Sequence, residues 1–455
     1  MKSASGNFGS VFSLRIESLA TEGLGLGHWQ GRAVFVPFSI PGEKIRVRLK
    51  KSSGRRLLAE LLEVEEASTW RRQPPCPVFG RCGGCSLQHI SDEKQLEFKK
   101  TILLDALRTI AGLPQQKVPP TFMFASPRYF GYRNRGQYPV AEDNKKIISG
   151  FFARGSHRVI SVEKCLIHNE TIDKAVRQVR AWAGHKKISI YNEITHSGWL
   201  RHITARVNAS GEALLVALVA TSPSKLAISD LLRRLRREVP QLVGLACNIQ
   251  SARTNVIFGK HTFLFWGEGT LPEKFLGLKL QLAPTSFFQV NHAVAEELFS
   301  RAVEFLAAVP GPVVDAFCGV GLGALLCCRE GKEAVGIDTD GEAIESARQA
   351  AKDNGLTGAA FYVGAVERVL PRITASGLKP KAAVIDPPRS GCRPEVLITL
   401  RDSPIERLAY ISCNPGTLAR DLKILLGYGF SINKIFVMDM FPQSEHLETL
   451  VCLER

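Results

Sequence analysis

Val313-Val314-Asp315-Ala316-Phe317-Cys318-Gly319-Val320-Gly321-Leu322-Gly323 is the stretch that decides the fold. A short apolar run ends on an acid, turns through glycines and opens into a helical pattern. The grammar repeats further along. Ala334-Val335-Gly336-Ile337-Asp338, Ala382-Ala383-Val384-Ile385-Asp386 and Arg407-Leu408-Ala409-Tyr410-Ile411 are apolar runs separated by helices. Such alternation reads as a doubly wound parallel sheet, whose strands are buried on both faces. Ligands of these sheets bind beyond the carboxyl ends of the strands. Three runs end on aspartate and the fourth enters Ser412-Cys413-Asn414-Pro415, so polar residues gather where chemistry is expected.

The glycine turn is not the dinucleotide fingerprint, because its last two glycines are too close together. It also lacks the Lys-Ser/Thr of a phosphate loop. An acid just before it suits a cationic or hydroxyl-rich cofactor better than a pyrophosphate. Asp338 closes the next strand, about twenty residues on, where a carboxylate accepts from both ribose hydroxyls. Together with Asp386 this points to S-adenosylmethionine, a nucleoside carrying a sulfonium; the turn alone reads equally well as a generic strand-to-helix connection. Cys413 stands at a strand end near a helix start, where a thiol pKa is lowered, and Arg420 is a counter-charge if it folds back. Cys318, Cys327, Cys328 and Cys452 read as small buried side chains.

Working outward, residues 286–455 form a Rossmann-like α/β domain. Residues 1–68 hold about five short strands with alternating patterns, a small closed barrel of the oligonucleotide-binding kind. The Gly-Leu-Gly-Leu-Gly run at 23–27 reads as a turn. Residues 69–285 form a mixed α+β central domain: a linker to Pro75, a helical pattern over 92–111, a strand over 213–219 and a basic helix around 231–237.

The 455 residues carry a net charge of +16, which favours a polyanionic partner such as nucleic acid. In the barrel, Lys44, Arg46, Arg48, Lys50, Lys51, Arg55 and Arg56 follow one another with no intervening acid. Lys44, Arg46 and Arg48 share a strand face. It reads as an RNA-contacting face, with a solvated edge strand as the plainer alternative. The N-terminus has no signal-peptide pattern, and no stretch approaches the roughly 20 apolar residues of a membrane span. The expectation is a cytoplasmic protein with no membrane association and no obligate protein partner. Thiols stay reduced there, so the spacing Cys76-x5-Cys82-x2-Cys85, with Cys165 further on, points to a metal centre. Tetrahedral zinc and an iron–sulfur cluster both fit four thiolates.

Asp386-Pro387-Pro388-Arg389-Ser390-Gly391, Ser412-Cys413-Asn414-Pro415, Phe441-Pro442-Gln443-Ser444-Glu445-His446-Leu447-Glu448 and Phe288-Gln289-Val290-Asn291 together resemble the RNA uracil-5-methyltransferase family. The basic barrel is similar to the TRAM domain of its ribosomal-RNA branch. The resemblance spans nearly the whole chain. It implies S-adenosylmethionine-dependent methylation of carbon 5 of a uridine, with 23S ribosomal RNA or a pre-ribosomal particle as partner. It assigns Cys413 as the nucleophile that adds to carbon 6 and Glu448 as the base that removes the carbon 5 proton. Gln289, Phe317, Asp338 and Asp386 take cofactor positions. It also implies a [4Fe-4S] cluster on Cys76, Cys82, Cys85 and Cys165, followed by Gln88-His89. His446 is the rival base if it shares a strand face with Glu448.

Two positions depart from the family: aspartate replaces its usual glutamate at 338, and Leu322 stands where asparagine is common. They lend weight to a catalytically silent RNA-binding or assembly factor of the same fold; Cys413 and Glu448 speak against it. A transfer-RNA uridine is the alternative substrate. A radical iron–sulfur methyltransferase is disfavoured, since its Cys-x3-Cys-x2-Cys signature is missing.

Overall fold

The computed structural model describes residues 9–53, 56–223 and 228–455. The first eight residues and Arg55 of the basic run lie outside them, as does the side chain of Lys51.

The barrel has six strands, Val11–Arg15, Ser18–Ala20, Leu24–Trp29, Arg32–Pro37, Lys44–Ser53 and Arg56–Glu66. Their order is first, fifth, sixth, fourth, third, second. Of the glycine run, Gly23 ends a tight turn and the rest, from Leu24, is strand rather than turn: a Cβ on Gly25 would meet Ser39 Oγ at 2.1 Å, and one on Gly27 the Arg15 carbonyl at 2.3 Å. Small residues there let the barrel close tightly. Along Lys44–Ser53 the alternation is as expected, with Ile45, Val47 and Leu49 buried and Arg46 and Arg48 exposed. The strand is not at an edge, however. It pairs antiparallel with Arg56–Glu66, whose acids stand against its cations. Arg46 pairs with Glu63 at 2.6 Å, Lys50 with Glu60 at 2.9 Å and Lys44 with Glu65 at 3.5 Å. The basic run is therefore largely matched within the barrel, which weakens its reading as a free phosphate-binding face.

The central sheet has seven strands, ordered Val159–Ser161, Lys146–Phe152, Arg135–Asp143, Leu200–Val207, Leu214–Ala220, Leu242–Ile249 and His261–Gly267. Helices Glu170–His185 and Ser229–Glu238 pack their apolar stripes into its core.

The C-terminal sheet has eight strands, ordered Ala359–Val363, Ala334–Asp338, Val313–Ala316, Ala382–Ile385, Arg407–Ser412, Glu448–Glu454, Ser431–Met438 and Thr121–Phe124. The first five are mutually parallel, and Glu448–Glu454 runs antiparallel to both neighbours. Strand order reverses between Val313–Ala316 and Ala382–Ile385, which opens a crevice at their carboxyl ends.

Two pieces of this unit come from sequence expected in the central domain. Thr121–Phe124 adds a parallel edge strand. Helix Asp92–Ala106 and the turn after it bury Leu96, Leu103, Leu107 and Ala111 in the same core as Leu418, Leu422 and Leu425. The hairpin Leu271–Phe275/Leu278–Leu282 likewise packs against helix His292–Ala307. The barrel ends near 69 as expected, but the boundary at 286 gives way to a catalytic unit that begins near 270 and recruits 92–124. A helix with one apolar side does not state which core will take it. Among the described residues no helix is long and apolar enough to cross a membrane.

Candidate active site

The turn after Val313–Ala316 is tightly determined. Phe317 adopts φ +65°, Gly319 +52° and Gly321 +84°. A side chain on Gly321 would place its Cβ 2.7 Å from the Phe361 ring. Left-handed backbone at a bulky residue such as Phe317 costs energy and clusters at ligand clamps. Asp315 is a cap: its Oδ2 accepts from the Ala324 amide at 2.9 Å, at the start of helix Leu322–Arg329. Asp338 accepts from Gly319 N at 2.9 Å and from Asp340 N at 2.9 Å, tying the two carboxyl-end loops together. Leu322 is buried in the core. Gln289 is buried at the junction with the central domain, its carbonyl accepting from Asn134 Nδ2 at 3.1 Å. Among the described residues no hydrogen bond joins it to the Asp338 loop.

Beside the turn lies a cluster of carboxyl groups. Burial raises Asp315 to about 7, and the charges of Asp386 and Asp338 add to the shift. Burial also raises Asp386. Glu448, 3% exposed at the first position of its strand, is pushed well above the carboxylate range by burial and then by Asp386. Arg389 opposes that shift. A buried edge this rich in acid favours a cationic ligand, which is what a sulfonium offers.

Cys413 lies between strand Arg407–Ser412 and helix Pro415–Gly427, whose cap is Asn414. Its thiol is not lowered as expected. Burial pushes it up to about 11, Glu448 and Asp386 add to the rise, and Arg389 alone of the named neighbours pulls it down. Arg420 does not fold back onto it: it binds Asp421 and the carbonyls of Ser390 and Cys392. Arg389 is the cation that sequence reasoning left without a role. Its carbonyl accepts from Asn414 Nδ2 and Thr417 Oγ1, each at 3.1 Å. Those bonds fix the Asp386-Pro387-Pro388-Arg389 turn against the cysteine segment. His446 precedes the strand that begins at Glu448 and sits 3.0 Å from an Arg389 guanidinium nitrogen. The strand face that would have made it a rival base does not exist. Cys318, Cys327, Cys328 and Cys452 are buried.

With its thiol pushed up to about 11 by burial, Cys413 has a small thiolate fraction at neutral pH. Alkylation of Cys413 in the free protein, read on its peptide by mass spectrometry, should rise about tenfold per pH unit between 7 and 9. Arg389→Ala removes the cation that lowers the thiol and should slow alkylation at every pH in that range. A rate that is flat with pH would show that the thiolate already dominates.

Cys76, Cys82, Cys85 and Cys165 are free thiols lining one cavity of about 470 Å³, together with Arg389, Phe441 and His446 from the catalytic unit. Gln88 Oε1 accepts from Cys76 N at 3.2 Å, and Gly84 N reaches Cys82 Sγ at 3.4 Å. Cys165 N donates to Asp173 Oδ2 at 2.9 Å. Among the described residues no three cysteine, histidine or acidic side chains converge closely enough to hold a single ion.

A parallel sheet with a reversed-order crevice, a strained glycine turn and an acidic rim defines an S-adenosylmethionine-dependent methyltransferase domain, here carrying a TRAM barrel. Residues 269–455 match the tRNA (Uracil-5-)-methyltransferase model, and residues 13–69 match the TRAM domain of tRNA (uracil(54)-C(5))-methyltransferase. An uncharacterized RNA methyltransferase of Halalkalibacterium halodurans is 36% identical over 98% of this chain and 98% of its own length. One from Listeria monocytogenes is 36% identical over 97% of this chain and 96% of its own. The crystal structure of the Pyrococcus abyssi tRNA (uracil-54, C5)-methyltransferase with S-adenosyl-L-homocysteine superposes with a TM-score of 0.77. It is 25% identical, covering 97% of this chain and 100% of that one. The chain belongs to the RNA uracil-5-methyltransferase family.

Proposed function

We propose that this protein methylates carbon 5 of a uridine in 23S ribosomal RNA, in the cytoplasm, through a covalent Cys413–uracil adduct. The observation that carries the reading is the meeting of Cys413, Arg389, Asp386 and Glu448 at the carboxyl edge, beside the Phe317–Asp338 loop. S-adenosylmethionine supplies an electrophilic methyl group. Carbon 5 of uracil is too weak a nucleophile to take it unaided. Cys413 as thiolate bonds to carbon 6, and the ring electrons move to the carbon 4 oxygen as an enolate. Arg389 stabilises the thiolate. The enolate then forms the bond from carbon 5 to the methyl group, the methyl–sulfur bond breaks with its electron pair going to sulfur, and S-adenosylhomocysteine leaves. Glu448 removes the carbon 5 proton, the electrons re-form the 5,6 double bond, and Cys413 leaves. Glu448 passes the proton to solvent before the next turnover. Burial makes it a stronger base once ionised, at the cost of a smaller ionised fraction. The cofactor positions are Phe317, Asp338, Asp386 and Gln289, with Asp338 reaching the ribose.

A uridine in transfer RNA is the second reading, carried by the likeness to the Pyrococcus abyssi enzyme, which acts on tRNA. The barrel does not separate the two, because the TRAM model it matches belongs to a tRNA enzyme. Mapping 5-methyluridine in both RNAs, with and without the gene, decides between them. Loss from transfer RNA alone would replace the ribosomal assignment.

We further propose that Cys76, Cys82, Cys85 and Cys165 hold an iron–sulfur cluster. The four thiols line one cavity, and four thiolates are the ligand set such a cluster takes; the same set also serves tetrahedral zinc, which is the competing outcome. Anaerobically purified protein should be brown and contain iron and sulfide, and Cys85→Ala should lose both. Stoichiometric zinc with negligible iron after anaerobic reconstitution would overturn the assignment.

A further inference from the structure

Gln443 is fully buried and holds φ +71° in the loop between strands Ser431–Met438 and Glu448–Glu454. Its polar groups are all engaged by residues from the other end of the chain. The carbonyl accepts from Ser86 N and Leu87 N, each at 3.0 Å. The amide donates to Gln95 Oε1 at 2.9 Å, and Nε2 donates to Asp92 Oδ1 at 2.6 Å. Oε1 accepts from Arg72 at 3.0 Å and Gln95 at 3.1 Å. Nearby, Glu445 N donates to Ser86 Oγ at 2.9 Å, and Tyr132 OH donates to the Pro442 carbonyl at 3.0 Å. The loop that leads into Glu448 is thus bound to the segment directly after Cys85. An amide side chain is required, because it donates to a carboxylate while accepting from a guanidinium.

We infer that Gln443 is a positioning residue that sets where Glu448 stands, and that through it the cysteine segment governs proton removal at the active site. The inference rests on Glu448 being the base. Gln443→Ala deletes three side-chain bonds without touching Cys413, Glu448 or the cofactor loop. It should lower kcat at least tenfold while KM for RNA and for S-adenosylmethionine stays within twofold. The covalent RNA adduct should accumulate during turnover. Amide hydrogen exchange should quicken at Ser86, Leu87 and 441–446 and remain unchanged in the parallel strands. Ser86→Ala, which removes only the link to Glu445, should show the same pattern in milder form and serves if Gln443→Ala does not fold. If Glu448→Gln traps an adduct while the folded brace variants turn over at the wild-type rate with unchanged exchange, the positioning inference falls and the base assignment stands. If Glu448→Gln traps nothing, the base assignment falls and takes this inference with it.

Discussion

Glu448→Gln protein mixed with RNA and S-adenosylmethionine is expected to accumulate a methylated RNA–protein complex that survives denaturing electrophoresis. Cys413→Ala is expected to give neither complex nor product, while still binding both substrates. The asymmetry follows from the order of steps: addition, methyl transfer, proton removal, elimination. Losing the nucleophile blocks the first step, and turnover should fall on the order of 10⁴-fold or more. Losing the base leaves addition and methyl transfer intact and slows only the exit, by roughly 10²–10⁴-fold. Glutamine keeps the shape of a side chain that is 3% exposed, so packing is preserved and the effect reports on proton transfer. His446 is bound to Arg389 outside the strand, so His446→Ala should not trap RNA. Normal turnover by Glu448→Gln, with adduct appearing in His446→Ala instead, would reverse the base assignment. Activity retained in Cys413→Ala would end the covalent scheme altogether.

The parallel sheet was legible because strands buried on both faces are mostly apolar, as Ala382–Ile385 is throughout and Val313–Ala316 is but for Asp315. Its active edge was legible because the acids come one residue after, or at the end of, those runs. The barrel showed itself through alternation at Ile45, Val47 and Leu49. Electrostatics was not legible. A cysteine near a helix start reads as acidic, yet burial with Glu448 and Asp386 nearby outweighs Arg389 and raises the thiol. The basic run reads as a free phosphate face until Glu60, Glu63 and Glu65 are found opposite it, which depends on strand pairing. Long-range partners were equally hidden: nothing local to Gln443 says that it meets Arg72, Asp92 and Gln95.

Lys99 shows the same limit with a larger energetic consequence. In the sequence it is one of three lysines on a charged helix, the kind that ordinarily points to solvent. In the structure it is 0% exposed and its Nζ donates to Asp439 Oδ1 at 2.7 Å, with Asp439 1% exposed. It also donates to the Phe441 carbonyl at 3.0 Å. The pair fixes helix Asp92–Ala106 to the end of strand Ser431–Met438, at the root of the loop that carries Gln443. The second oxygen of Asp439 is buried with no hydrogen-bond partner among the described residues, so removing the lysine leaves a carboxylate without its compensating charge. Lys99→Ala should therefore destabilise the catalytic unit by about 3–5 kcal/mol, the cost of an orphaned buried charge. The measurement is the midpoint of its urea unfolding transition. Lys99→Met combined with Asp439→Leu removes both charges and keeps most of the volume, so it should recover most of that loss, and the Phe441 carbonyl keeps its bonds from Ser444 N at 3.2 Å and Ser444 Oγ at 2.9 Å. A loss below about 1 kcal/mol in the single variant would be the value of a solvent-exposed pair, and would mean that water reaches the site. Recovery in the double variant would also separate stability from function. The unit would be folded again, but the Phe441 carbonyl would have lost its bond from helix Asp92–Ala106, so turnover should remain impaired if this root helps to aim the loop at the base.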